Sequence, residues 1–70
     1  MNKAALRAEM AKHCDTQERL AEALDIQVSG VSARINGHID FRASEISTIV
    51  KRYGLSPQET MYIFFDEAAS

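Results

Sequence analysis

Apolar residues recur along most of the chain at intervals of three and four, the spacing of one face of an α-helix. Leu6 and Met10, with alanines at 4, 5, 8 and 11, predict a first helix that Asn2 caps and that runs to about His13. Cys14-Asp15 breaks the pattern. Thr16 then caps a short second helix with an acid, Glu18, in its first turn and with Leu20, Ala21 and Leu24 on its buried face. Asp25-Ile26-Gln27 is a tight connection. In the third helix Val31 and Ile35 lie four apart on the inner side, and Asn36-Gly37 stops it. Residues 38–42 read as a loop whose Ile39 and Phe41 pack inward. Ile46, Ile49, Val50 and Tyr53 follow the i, i+3, i+4, i+7 rule and predict a fourth helix from about Ala43 to Tyr53, ended by Gly54. Ser56-Pro57-Gln58-Glu59 supplies a cap, a proline at the first position and an acid at the third. It starts a fifth helix, residues 56–66, that presents Met61, Phe64 and Phe65. No run alternates strictly with β-branched enrichment, so no strand is expected. The expectation is an all-α architecture of five helices, with residues 1–70 as a single domain.

Composition changes this picture little. The 70 residues are 46% apolar and 26% charged, within the ordinary range of a folded soluble domain. The longest apolar run, Met61 to Phe65, is far short of a membrane span of about 20 residues, and no secretory type of segment opens the chain. Cys14, alone, cannot form an internal disulfide, and a reducing, cytoplasmic setting is expected. Charge is more informative in its placement than in its sum of −2. All eight basic residues and seven acids lie in residues 1–52, a net of +1, whereas Glu59, Asp66 and Glu67 leave the remainder purely acidic. The total neither requires nor forbids a nucleic-acid partner.

Catalytic and metal chemistry find no footing. His13-Cys14 has no companions at ligand spacing, and structural zinc wants four ligands, so neither a metal nor another cofactor is expected. The serines lack a plausible base–acid pair, and there is no glycine-rich phosphate loop. No enzyme activity, small-molecule substrate or membrane partner is expected.

The informative stretch is residues 16–37: two short helices joined by a three-residue turn. Small Ala21 sits where the helices must approach, and Leu24, Ile26, Val31 and Ile35 lock the pair. This is the helix-turn-helix unit, whose second helix can enter a DNA major groove. Thr16-Gln17-Glu18-Arg19-Leu20-Ala21, then Leu24, Ile26, Val31-Ser32 and Asn36-Gly37, resemble the Cro/repressor class of lambda-repressor-like domains. The likeness covers about residues 3–65. The opening Met1–Asp15 and the ending from Arg52 through Phe65 are similar to short phage and prophage regulators of Gram-positive bacteria. The resemblance implies a five-helix DNA-binding domain acting as a Cro-type repressor or, alternatively, as an antirepressor that binds the cognate phage repressor. Two departures stand out. Asp25 occupies a turn where that class favours glycine, and Gln27 is a weak cap for the recognition helix.

With the core side between Val31 and Ile35, Ser29, Ser32, Ala33 and Asn36 point the opposite way on recognition helix 28–36, and Val28 and Gly30 flank them. None can make a bidentate Arg–guanine or Gln–adenine contact. The serines can bond to several base edges, Val28 and Ala33 can touch a thymine methyl, and Gly30 permits close backbone approach. Gln17 and the first turn of the second helix suit a phosphate. Gln27 completes the candidate set at the entry to the recognition helix. Arg34, Asn36, His38 and Arg42 are expected to reach the DNA backbone. So thin a cationic set implies a shallow salt dependence and weak binding by a monomer. A dimer would read paired half-sites about 34 Å apart in double-stranded operator DNA. Met61, Tyr62, Ile63 and Phe65 are the candidate homodimer or partner interface, because one short helix cannot bury the whole run.

Overall fold

The computed structural model describes residues Met1–Phe65. Five helices follow one another: α1 (Lys3–Lys12), α2 (Gln17–Leu24), α3 (Val28–Ile35), α4 (Ala43–Tyr53) and α5 (Pro57–Phe64). Among the described residues there is no strand. The expected extension of the last helix to residue 66 lies outside the described residues, as do Asp66 and Glu67.

Local chemistry explains most helix starts. Asn2 Oδ1 accepts the Ala5 N–H at 3.0 Å, and Thr16 Oγ1 accepts the Arg19 N–H at 3.1 Å. Ser56 and Glu59 cap α5 reciprocally: Ser56 N–H donates to Glu59 Oε1 (2.8 Å) and Glu59 N–H to Ser56 Oγ (3.0 Å). Each bond satisfies an N–H that the helix itself leaves free. Gln27 makes no side-chain capping bond, so α3 begins without one.

Between α2 and α3 the chain turns through Asp25, at φ 56° and ψ 46°, and Ile26 N–H closes the turn on the Ala21 carbonyl at 3.0 Å. The left-handed region costs an L-residue about 1–2 kcal/mol, less for aspartate, and glycine would lose about 0.5–1 kcal/mol of that gain to chain entropy. Asp25→Gly is therefore expected to raise stability by about 0.5 kcal/mol. The urea midpoint measures it, and a lower midpoint would assign the aspartate a stabilising local bond.

The core is built from Leu6 and Met10 of α1, Leu20 and Ala21 of α2, Val31 and Ile35 of α3, Ile49 and Tyr53 of α4, Leu55, and Ile63 and Phe64 of α5. Leu24, Ile26, Ile46 and Val50 are half-buried against it. Phe41 also packs inward and meets Phe64 edge to face, with ring centroids 5.7 Å apart.

Two expectations are corrected. Ile39 is 48% exposed rather than packed inward. Ile63, assigned to an exposed interface, is a core residue at 2% exposure. Five apolar residues in a row offer two overlapping helix faces. The docking of α1 selects the one holding Ile63 and Phe64, and Asn2 N–H donates to the Ile63 carbonyl at 2.6 Å. Met61, Tyr62 and Phe65 stay in solvent.

A polar clamp joins distant parts of the chain. Asp15, in the α1–α2 turn, receives Arg52 Nε at 2.8 Å and Nη2 at 2.9 Å, the Tyr53 hydroxyl, and the Thr16 N–H at 3.0 Å. Its side chain is almost fully buried while that of Arg52 is about one-third exposed. The Arg52 bonds hold the Asp15 carboxyl well below the usual carboxylate range, against the opposing effect of burial; Tyr53 and Thr16 add to the lowering. Burial, then the bond to Asp15, raises the Tyr53 hydroxyl. His13 stacks on the Tyr53 ring at 4.9 Å.

Candidate nucleic-acid interface

Helix α3 buries Val31, Arg34 and Ile35 and turns the opposite face outward. Val28, Ser29 and Asn36 are exposed; Gly30, Ser32 and Ala33 are half-buried. The face is small and uncharged, half of it polar and half apolar. At its carboxyl end Asn36 Nδ2 donates to Ser32 Oγ at 3.3 Å, and Lys3 Nζ donates to Asn36 Oδ1 at 3.0 Å. Lys3 thus stands at the edge of the reading face, a cation that sequence reasoning passed over. Nothing local marks it, since the partner lies 33 residues away.

The α2 end is less favourable to an anion than the helix dipole alone suggests. Gln17 is half-buried, Thr16 already takes one first-turn N–H, and Glu18 places a carboxylate in the same turn. Gln27, His38 and Arg42 are exposed around α3.

Arg34 is the main correction. Expected at the DNA backbone, it is 8% exposed and turned into the protein. Nε donates to Glu45 Oε1 at 2.9 Å and Nη2 to Oε2 at 3.2 Å, while Nη1 donates to the Gly30 carbonyl at 3.0 Å. A planar fork that matches a buried carboxylate so closely is not available to a phosphate. Burial alone would raise the Glu45 carboxyl, but the Arg34 bonds and the Arg42 N–H, at 2.8 Å from Oε1, hold it below its ordinary range. Gly30 has a structural reason as well as the expected one. A Cβ there would lie 3.2 Å from Arg34 Nη1, so the bare backbone leaves room for the guanidinium.

Two short helices crossing at a three-residue turn, the second with a buried aliphatic side and a bare outer side, have the geometry of a groove-reading unit. A family model for helix-turn-helix domains of the lambda-repressor-like type matches residues 6–59. The chain belongs to this family. No curated protein and no solved structure matches it significantly. Helix-turn-helix domains of this family are DNA-binding transcriptional regulators, so double-stranded DNA is the partner class, and α2 and α3 are the helix pair of the motif. Among the described residues no helix is long and apolar enough to cross a membrane.

Proposed function

We propose that this helix-turn-helix protein is a sequence-specific regulator of the Cro type that acts as a dimer on a phage or prophage operator in the host cytoplasm, with residues 1–70 working as a single domain. Helix α3 enters the major groove. Ser29, Ser32, Ala33 and Asn36 meet base edges, with Val28 and Gly30 at the flanks. Gln17, Gln27, His38, Arg42 and Lys3 lie where phosphates pass. The observation that carries the reading is the small outer face of α3, exposed at Val28, Ser29 and Asn36 and half-buried at Gly30, Ser32 and Ala33, opposite its buried Val31 and Ile35. An electrophoretic shift with the intergenic DNA beside its own gene tests it. Retardation at micromolar protein in low salt, lost steeply for scrambled DNA, is the expected result; no retardation under those conditions would count decisively against it.

A second reading has its own support. Met61 and Tyr62 on α5, and Phe65 just after it, are exposed, and Phe65 borders an open groove with Ile39, Phe41 and Met1. Such an apolar patch, with a recognition face poor in charge, also suits an antirepressor that binds the cognate phage repressor. Co-purification with the neighbouring repressor separates the two readings. In either case Phe65→Asp is expected to weaken self- or partner association at least tenfold, roughly the effect of losing an aromatic anchor, with helix content unchanged. Sedimentation equilibrium measures it, and undiminished association would remove Phe65 from the interface.

A further inference from the structure

Little on the outer face of α3 has reach: apart from Asn36 at its carboxyl end, the side chains are serine, alanine, valine and glycine. They are too short to make up an error in the angle of the helix, so reading by this face depends on where the helix axis lies. The apolar contacts of Val31 and Ile35 hold α3 to the body but are non-directional. The only long polar side chain on the buried side of α3 is Arg34, and its three nitrogens are all engaged: two on Glu45, in the first turn of α4, and one on the Gly30 carbonyl, one turn back along α3 itself. Glu45 in turn accepts the Arg42 N–H, which ties in the end of the 38–42 loop. Such charge-assisted, bidentate bonds fix direction as well as distance.

We propose that the buried Arg34–Glu45 pair is the positioning device of the recognition helix, setting its angle against α4 so that its short side chains meet base edges in register. The inference rests on the DNA-reading function above. Arg34 on this account never touches DNA, and the pair governs discrimination between sequences rather than general affinity. Gly30 belongs to the device, because a Cβ there would press on the guanidinium.

Removing one partner would leave the other charge buried alone, so the test replaces both. Arg34→Met/Glu45→Leu exchanges the pair for apolar residues of similar volume, a change that is often neutral or stabilising. The probe is a duplex enriched by the wild-type protein from a random-sequence pool, compared with a scrambled duplex over a range of salt. The double variant is expected to keep wild-type helix content and its affinity for scrambled DNA. Its preference for the enriched duplex should fall at least tenfold, about the effect of losing one good base contact. The salt slope should be unchanged. A preserved preference overturns the proposal. So does a slope reduced by about one, which would mean that Arg34 contacts a phosphate. If the double variant does not fold, Arg34→Lys decides: it keeps the charge but not the fork, and undiminished preference in that variant overturns the proposal equally. Should the wild-type protein enrich no sequence, the DNA-reading function itself fails and the positioning role falls with it; loss confined to the variants leaves that function standing.

Discussion

Replacing Ser29 with glutamate is expected to lower DNA affinity by at least about 100-fold, because a carboxylate set against phosphate costs several kcal/mol. The site makes the experiment clean. Ser29 is exposed in the first turn of α3, and the core contains no part of it. An acid in a first turn is favourable to the helix dipole, and α3 has no side-chain cap of its own. Ser29→Glu should therefore be as stable as the parent, or slightly more so, while binding collapses. Ser29→Ala, which removes at most one neutral hydrogen bond, should cost no more than about tenfold. Fluorescence anisotropy with a labelled duplex gives both numbers. If the glutamate variant binds as the wild type does, the reading face lies elsewhere.

The largest effect on stability is expected at Asp15. Asp15→Ala leaves the Tyr53 hydroxyl without its acceptor inside the core, frees the Thr16 N–H and unpairs Arg52. The combined cost is about 3 kcal/mol, a large share of what so small a domain has. Arg52→Gln should cost clearly less, since its side chain is one-third exposed and water can replace part of the bond. Urea unfolding orders the two variants, and equal costs would mean that the clamp matters only as an ion pair. The same carboxylate sets an acid limb. Its folded pKa lies below the unfolded value, so its contribution is fully present above the ordinary carboxylate range and is lost as pH falls from about 4 toward the folded value. Glu45, also lowered, adds in the same direction. Asp15→Asn should flatten the decline of the urea midpoint below about pH 4.

Period and punctuation carried most of the architecture. Ile49 and Tyr53 four apart, and Ser56-Pro57 before Glu59, define elements by local rules, and those elements stand within a residue or two of where the spacing puts them. Side-chain partners are another matter. Asp15 reads only as a break in a pattern, because Arg52 and Tyr53 lie 37 and 38 residues away. Ile63 could not be placed from a five-residue apolar run, because the choice of face belongs to α1. Arg34 could not be placed from the wheel. It stands about 60° to one side of Val31, as far from the centre of the buried face as Ser32 on the other flank. Its pairing with Glu45, in the first turn of the next helix, decides that it turns inward.

The bareness of the outer face of α3 has an evolutionary corollary. Ser29, Ser32, Ala33 and Asn36 lie outside the core, and at a fully exposed one such as Ser29 exchanges usually stay within about 0.5 kcal/mol of neutral. New side chains can be installed on this face with little refitting of the scaffold beneath. A lineage carrying this frame is free to drift from one target site to another by a handful of codon changes, and so is anyone who wishes to reprogram it.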